Sequence, residues 1–192
     1  VGMSFAMGLR AILRHDPDVV MIGEIRDLET AQAATQASLT GHLVLSTLHT
    51  NDAASAATRL IDMGVEPFLV SSTLSGVMAQ RLVRVICPTC KTEMNPKEAG
   101  LPKNMKWPEG DKVYTGSGCR ACRNSGYKGR TGLYELLTMN EELGERIIDR
   151  VASSELVRIG QANGMRLLSE DGWFKVRNGV TTPEEVLRVT AA

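Results

Sequence analysis

The chain has 192 residues, and its 22 basic and 22 acidic side chains give a formal net charge of zero. A hydrophobic fraction of 43% and a charged fraction of 23% are typical of a folded globular protein and exclude disordered, collagen-like and coiled-coil classes. Balanced charge gives no reason to expect a nucleic-acid or membrane-surface binder from bulk electrostatics. We predict no transmembrane helix, because no run of about 18 apolar residues occurs. The start at Val1-Gly2-Met3, without an initiator Met or a signal-peptide pattern, predicts a fragment.

Charge and cysteine divide the chain into three parts. Residues 1–86 carry 6 basic and 8 acidic groups, residues 87–135 carry 9 and 5, and residues 136–192 carry 7 and 9. All three His lie in the first part and all four Cys lie in the second. Composition therefore predicts three domains or modules with these boundaries.

The first part predicts helices that alternate with apolar strands. The helices are expected at residues 5–14, 28–39, 53–63 and 67–80, and the strands at 19–23, 42–48 and 82–86. The run Val19–Gly23 is almost uninterrupted in its apolar character, which is typical of strands buried on both faces. This order predicts an α/β fold with a mainly parallel sheet, in which ligands bind at the carboxyl ends of the strands.

Polar segments follow the first two predicted strands. Glu24, Arg26 and Asp27 come after the first strand, and a segment containing His49 comes after the second. A carboxylate at the end of a buried strand is where nucleotide-hydrolysing folds position Mg²⁺ or water. In the alternative interpretation, Glu24 and Asp27 only begin the next helix, where their negative charge interacts favourably with the positive N-terminal end of the helix dipole. In the same interpretation, His49 is an ordinary loop residue.

The amino-acid sequences of these segments resemble motifs of a known family. Residues 16–27 resemble the Walker B segment of the secretion ATPase superfamily, and residues 40–52 resemble its histidine box. Ala79-Gln-Arg-Leu82, followed by the Cys87–Cys90 pair, also fits. The resemblance extends from about residue 5 to 190 and is closest to the type II secretion ATPases. It implies a partial RecA-like fold, with a tetracysteine zinc-binding insertion and a C-terminal helical subdomain.

Two cysteine pairs mark the second part. Cys87-x2-Cys90 and Cys119-x2-Cys122 supply four thiolates, enough to close a tetrahedral Zn²⁺ site without an open position. Disulfides are disfavoured, because the chain lacks a signal peptide and resembles a cytoplasmic motor. We therefore predict a structural zinc and, from Lys112–Thr115, a strand in the arm between the pairs.

A nucleic-acid-binding zinc ribbon is an alternative of a different class. Trp107 and Tyr114 could act as stacking groups among basic side chains. Nine basic residues support this alternative: Lys91, Lys97, Lys103, Lys106, Lys112, Arg120, Arg123, Lys128 and Arg130. Five acidic residues in the same part weaken the positive electrostatic field of these basic residues. We therefore favour the interpretation that they form an ordinary solvated surface.

The remaining segments indicate turns, strands and helices, and we identify no candidate catalytic or binding residues in them. Gly126–Gly132 lacks the G-x4-G-K-[ST] spacing of a phosphate-binding loop, so we predict a turn that leads into a strand. Residues 136–192 predict packed helices. Asn140 is the expected N-cap of the first, and Thr182-Pro183 followed by Glu185 predicts a capping box at the last.

The resemblance assigns roles to five residues of the first part. Glu24 matches the catalytic carboxylate that polarises the attacking water, and His49 and, less closely, His42 match histidines near the γ-phosphate. Arg26 and Arg81 match arginines in or near the nucleotide site. The four cysteines of the second part match zinc ligands, and ATP and Mg²⁺ are implied for the full-length protein.

The resemblance also implies a cellular role. The chain is expected to be part of a cytoplasmic homo-hexameric motor that couples ATP hydrolysis to pseudopilus assembly in type II secretion. Inner-membrane platform proteins are the implied partners and would hold it peripherally on the inner membrane, without direct membrane insertion and without nucleic acid. A type IV pilus assembly ATPase shares these motifs and remains an alternative.

One departure from the family is large. No G-x4-G-K-[ST] segment occurs in the 192 residues. The backbone, Lys and hydroxyl of that loop hold the phosphates and Mg²⁺. We therefore expect the chain on its own to be inactive as an ATPase.

Overall fold

A computed structural model describes residues 2–102, 107–108 and 110–190 of the chain, which form an α/β protein. The α-helices of these residues are α1 (Phe5–Ile12), α2 (Leu28–Leu39), α3 (Ala54–Asp62), α4 (Pro67–Thr73), α5 (Glu141–Ile148), α6 (Ser153–Ala162), α7 (Leu168–Arg177) and α8 (Pro183–Thr190). The strands are β1 (Val19–Ile22), β2 (Leu43–Ser46), β3 (Gly76–Ile86), β4 (Lys91–Met94), β5 (Val113–Gly116) and β6 (Tyr127–Thr138). Short 3₁₀ helices occupy Leu13–His15, Pro96–Glu98 and Arg120–Cys122. Within this part of the chain, every helix is too short or too polar to cross a lipid bilayer.

The strands pair into three two-stranded sheets. β1 and β2 are parallel, with Val19 opposite Leu43 and Ile22 opposite Ser46. β4 and β5 are antiparallel. β3 pairs with β6, and these two also run in opposite directions. The Met139 amide, just after β6, donates to the Ser75 carbonyl before β3, while the amide of Cys87 after β3 donates to Gly126 before β6.

The chain divides into two compact units. The first contains the described parts of residues 1–78 and 136–165, and the second those of residues 79–135 and 166–192. Helices α5 and α6 belong to the first unit, whereas α7 and α8 belong to the second. The three-part division drawn from composition stays a prediction.

The core of the first unit includes the inner face of β1. Val20 and Ile22 lie in one buried cluster with Ala6 and Leu9 of α1 and with two alanines of α2. The core of the second unit is built from Val83, Leu133 and Leu168, and from a further cluster in which Trp107 and Trp173 pack against three valines.

Local sequence rules account for several helix boundaries. α2 covers the predicted residues, and its N-cap is Asp27, whose carboxylate accepts the Thr30 amide at 2.8 Å. Gly41, just past this helix, has a φ of +97°, a conformation that disfavours side chains with a Cβ. Asn140 caps α5 by accepting the Leu143 amide at 2.8 Å. The predicted range of α2 and the predicted N-cap Asn140 are confirmed.

The predictions for residues 67–86 are confirmed only in part: a helix begins at Pro67 and residues 82–86 form a strand, but the helix does not reach residue 80. Helix α4 ends at Thr73, and the expected last turn of that helix is the start of β3. The expected third strand at 82–86 lies in β3 and pairs with β6, so it does not extend the parallel β1–β2 sheet. Exposed and partly buried positions alternate along Gly76–Arg81, which is the period of a strand and not of a helix.

Two further expectations need correction. β1 is buried on one face only, since Val20 and Ile22 are buried whereas Val19 and Met21 are 55% and 72% exposed. The glycine-rich segment expected to be a turn contains the beginning of β6. The predicted arm strand is confirmed as β5.

A buried carboxylate joins α8 to β3 in the second unit. The Glu185 side chain is fully buried, and its oxygens accept hydrogen bonds from the guanidinium groups of Arg84 at 2.7 Å and Arg188 at 2.8 Å. The Thr182 hydroxyl accepts a hydrogen bond from the Glu185 amide, as the capping box predicts. The Glu185 carboxylate, however, binds the arginine side chains. Burial opposes ionisation of Glu185, yet the hydrogen bonds from Arg188 and Arg84 outweigh it and lower its pKa to about 2.

We expect Glu185→Gln to destabilise the protein by about 2 kcal/mol at pH 7, because it removes charge-assisted hydrogen bonds from a buried group. The folded-state pKa lies below the ordinary value of 4.5, so this stabilisation is present above pH 4.5 and is lost as the pH falls towards 2. Urea unfolding of both proteins at pH 7 and pH 3 measures the difference. The neighbouring exposed Glu184→Gln is the control, and equal losses in both variants would contradict the assignment.

Candidate functional site

The carboxyl ends of β1 and β2 bring three predicted site residues together. Glu24 follows β1, and its Oε2 lies 2.6 Å from Nε of Arg26 and 3.1 Å from Nε2 of His49, which follows β2. The Glu24 side chain is 23% exposed, whereas those of Arg26 and His49 are 68% and 81% exposed. The parallel pairing therefore forms a carboxylate–histidine–arginine cluster from segments about 25 residues apart.

This cluster favours the ionised form of Glu24. Hydrogen bonds from Arg26 and then from His49 lower the pKa of its carboxyl below the ordinary value, and desolvation opposes them only in part. Both contacts use Oε2, so Oε1 retains the capacity to accept a hydrogen bond from water or another donor. Such a carboxylate can orient and polarise a water molecule.

Thr47 was not among the predicted site residues, yet it contacts the backbone on both sides of Glu24. Its hydroxyl donates to the Gly23 carbonyl at 2.7 Å, and its own carbonyl accepts from the Ile25 amide at 3.0 Å. The sequence signal for this contact is the position of Thr47 directly after β2, at the same sheet edge as Glu24.

The structure places the other two predicted residues differently. His42 precedes β2, and its Nδ1 lies 3.0 Å from both the Ala37 carbonyl and the Thr40 hydroxyl. These contacts satisfy groups at the C-terminal end of α2, and they do not join His42 to Glu24. Arg81 is half-buried on β3 in the second unit.

The four cysteines form one cluster in the second unit. Their sulfur atoms all lie within 4.8 Å of one another. The Sγ–Sγ distance is 3.9 Å for Cys87 with Cys119 and for Cys90 with Cys122. A disulfide requires about 2.0 Å, and all four cysteines are free. A tetrahedral Zn²⁺ with Zn–S bonds of about 2.3 Å requires sulfur edges of about 3.8 Å, so the cluster has dimensions that fit a metal ion.

Turns after each first cysteine shape this cluster. The amide of Cys90 donates to the Cys87 carbonyl, and the amide of Cys122 donates to the Cys119 carbonyl. Burial opposes ionisation of the Cys122 thiol, but hydrogen bonds from the Cys119 and Gly126 amides outweigh it and lower its pKa to about 6. Thiolate is the form that binds metal. Burial raises the pKa of the neighbouring Cys90 thiol to about 12, so the surroundings favour a thiolate at Cys122 and oppose one at Cys90.

Glycines allow the cysteine arm to close. A Cβ on Gly116 would lie 2.0 Å from the Gly126 carbonyl oxygen, and Gly126 itself has a φ of +76°. No larger side chain fits at this crossing, which lies between β5 and the start of β6. The glycine-rich pattern points to Gly126, but nothing in the sequence indicates its close approach to Gly116.

The aromatic residues of the nucleic-acid alternative are engaged inside the second unit. Trp107 packs against the valine cluster, and its Nε1 donates to the Asp111 carbonyl at 3.1 Å. The Lys91 ammonium lies 4.2 Å from the centre of the Tyr114 ring. Neither ring is an open stacking platform. Lys103 and Lys106, two of the basic residues considered with them, lie outside the described residues.

Comparison with known proteins gives a consistent result. The profile of the family described as type II/IV secretion system protein matches residues 1–188. The chain is 54% identical over 191 residues to the type II secretion system protein E of Pseudomonas aeruginosa and 50% identical over 192 residues to the type IV pilus assembly ATPase PilB of Thermus thermophilus. A crystal structure of the pilus retraction motor PilT with bound ADP superposes with a TM-score of 0.66 at 28% identity.

These matches cover nearly all of this chain but only part of the relatives. The aligned region is 99% of this chain and 38% of the Pseudomonas protein, and 98% and 22% for the Thermus protein. For PilT the values are 99% and 44%. The chain thus spans less than half the length of each of these proteins.

We expect Arg26→Gln to raise the pKa of Glu24 towards its ordinary value of 4.5, because the Arg26 hydrogen bond is the largest cause of its lowering. The pH dependence of the Glu24 carboxyl ¹³C resonance measures this change. Arg14→Gln, in the exposed 3₁₀ helix before β1, is the control and should leave the resonance unchanged. An unaltered Glu24 pKa in Arg26→Gln would contradict the electrostatic assignment.

Proposed function

The chain belongs to the type II/IV secretion system protein family, and we propose on this basis that it forms part of an ATP-hydrolysing motor with Glu24 as catalytic carboxylate. The observation that supports this role is the cluster at the ends of β1 and β2, where Arg26 and His49 hold one oxygen of Glu24. The relatives named as ATPases and the ADP bound to PilT support a nucleotide as substrate.

The lowered pKa of Glu24 favours one kind of catalysis. A general base is most effective when its pKa is near the working pH, whereas Glu24 is a weak base. We infer that Glu24 acts mainly by orienting the attacking water through Oε1 and by stabilising positive charge that develops on it. Phosphoryl transfer depends largely on such positioning and electrostatics. Mg²⁺ bound with ATP would neutralise phosphate charge.

The neighbouring residues have supporting roles in this proposal. His49 lies within hydrogen-bond distance of Glu24 and is exposed, so it can contact the γ-phosphate region as well as the carboxylate. The Arg26 hydrogen bond lowers the pKa of Glu24 and holds one of its carboxylate oxygens. For His42 and Arg81 we retain the family-based proposal that they belong near the nucleotide, His42 on the γ-phosphate side.

We propose that the four cysteines hold one structural Zn²⁺. Four sulfur ligands at tetrahedral spacing leave no position for a substrate, which excludes a catalytic role for this ion. Cys87, Cys90, Cys119 and Cys122 would be its ligands, and the two antiparallel strands β4 and β5 form the arm between the pairs.

At the level of the whole assembly, the proposal follows the family. The β1–β2 pair with its helices would be part of a RecA-like parallel sheet. The motor would be a homo-hexamer on the cytoplasmic side of the inner membrane, held there by platform proteins of the type II secretion system, and its hydrolysis cycle would drive pseudopilus assembly. A type IV pilus assembly motor is a second candidate, supported by the 50% identity to PilB. Restoration of secretion or of piliation in the corresponding deletion strain distinguishes the two.

We expect the purified 192-residue chain to hydrolyse no ATP, because it contains no phosphate-binding loop. The full-length gene product should be active, and Glu24→Gln should reduce its rate by about 10²-fold or more. Phosphate release in the presence of Mg²⁺ measures both. Glu29→Gln, in the first turn of α2, is the control. Full activity of the Glu24→Gln protein would refute the catalytic role, and robust activity of the 192-residue chain would refute its predicted inactivity.

We expect about one zinc ion per chain in gently purified protein, because the sulfur cluster has tetrahedral dimensions. Elemental analysis should show a strong loss of zinc in Cys87→Ser. Thr89→Ser, within the same cysteine turn, should retain the metal. Protein with four reactive thiols and no metal would exclude the zinc site.

A further inference from the structure

We infer that Thr47 is a positioning residue for the Glu24 carboxylate, because it holds the backbone on both sides of Glu24. The Thr47 hydroxyl donates to the Gly23 carbonyl at 2.7 Å, and the Thr47 carbonyl accepts from the Ile25 amide at 3.0 Å. This inference rests on the catalytic role proposed for Glu24. Both of these hydrogen bonds are to backbone groups, so Thr47 acts on the Glu24 carboxylate through the chain.

The register of the sheet shows that this contact is irregular. β1 and β2 are paired from Val19 with Leu43 to Ile22 with Ser46, so a regular continuation would place Thr47 opposite Gly23. In that arrangement the amide of Glu24 would donate to the Thr47 carbonyl. That carbonyl instead accepts from Ile25, one residue further on. The β1 side therefore contains one extra residue, as in a β-bulge.

The bulge determines which way Glu24 faces. Side chains two residues apart share a face of a strand, so a regular strand would put Glu24 on the same face as Val20 and Ile22. That face is buried in an apolar cluster, where an ionised carboxylate would be costly. A shift of one residue turns the side chain away from that face. The irregular pairing thus keeps Glu24 partly exposed and within reach of His49 and Arg26.

Thr47 supplies the donor that the irregular pairing needs. With the extra residue present, the side-chain hydroxyl of Thr47 hydrogen-bonds the Gly23 carbonyl beside the bulge. Serine can make the same bond, whereas valine has the same shape without a donor. Because this contact is exposed to solvent, it contributes little to global stability, and its loss should act locally on Glu24.

The first measurement uses the 192-residue chain. In Thr47→Val the Glu24 carboxyl should lose part of its contact with Arg26 and His49, so its pKa, followed by ¹³C NMR, should rise towards the ordinary value. Thr47→Ser should keep the low value. Thr50→Val is the matched control, since the Thr50 hydroxyl donates to the Asp52 carbonyl in the same loop and does not reach β1. Circular dichroism checks folding, and Thr47→Ala replaces the valine variant if that variant is unfolded.

The second measurement uses the full-length gene product. Thr47→Val should reduce kcat for ATP hydrolysis by about tenfold or more with KM nearly unchanged, because a small displacement of a catalytic group mainly affects the transition state. Thr47→Ser should restore kcat. Thr58→Val should leave kcat unchanged, because Thr58 lies on α3, outside the segment that resembles the histidine box, and its hydroxyl donates to the Ser55 carbonyl. The inference requires both the pKa change and the kcat loss in Thr47→Val, and failure of either overturns it. Full activity of Glu24→Gln would refute the proposed function instead, while the NMR titration would still decide whether Thr47 positions the carboxylate.

Discussion

The parallel pairing of β1 with β2 is the constraint on which the candidate site depends. Residues 19–22 and 43–46 lie far apart in the sequence, and their pairing places the segments that follow them at one edge of the sheet. In this arrangement His49 Nε2 lies 3.1 Å from the Glu24 carboxylate. The pairing is in turn fixed by the burial of Val20 and Ile22, since a slip by one residue would exchange their face with the exposed face of Val19 and Met21.

Just beyond β1, the regular strand pairing that brings the site together is interrupted. A sheet that continued without interruption would direct Glu24 into the same apolar cluster as Val20 and Ile22. The extra residue beside Thr47 avoids this outcome at the first position beyond the strand. Regular structure brings the two segments together, and the irregularity gives the carboxylate its access to solvent and to its partners. The position of Glu24 and the lowered pKa of its carboxyl therefore have a common structural origin.

Local signals explain what the sequence could predict. Asp27, Asn140 and Thr182 are capping residues whose hydrogen bonds join groups three residues apart, so their effects are visible in a short window. Each short-spaced cysteine pair is a local signal of the same kind, and the need of a tetrahedral metal ion for four ligands predicted that the two pairs meet. The four sulfur atoms do form one cluster. The site segments were found from their place after apolar strands and from resemblance.

Features that depend on distant residues could not be predicted in this way. Residues 76–80 follow a helix and were assigned to it, but their partner is β6, some fifty residues later in the chain. Glu185 fitted the pattern of a capping box, yet its carboxylate binds Arg84, which is 101 residues away. The role of Thr47 depends on a register offset of one residue, and no periodicity in the sequence contains that information. For residues 76–80 the distant partner decides the backbone conformation itself, and for Glu185 and Thr47 it decides what the side chain does.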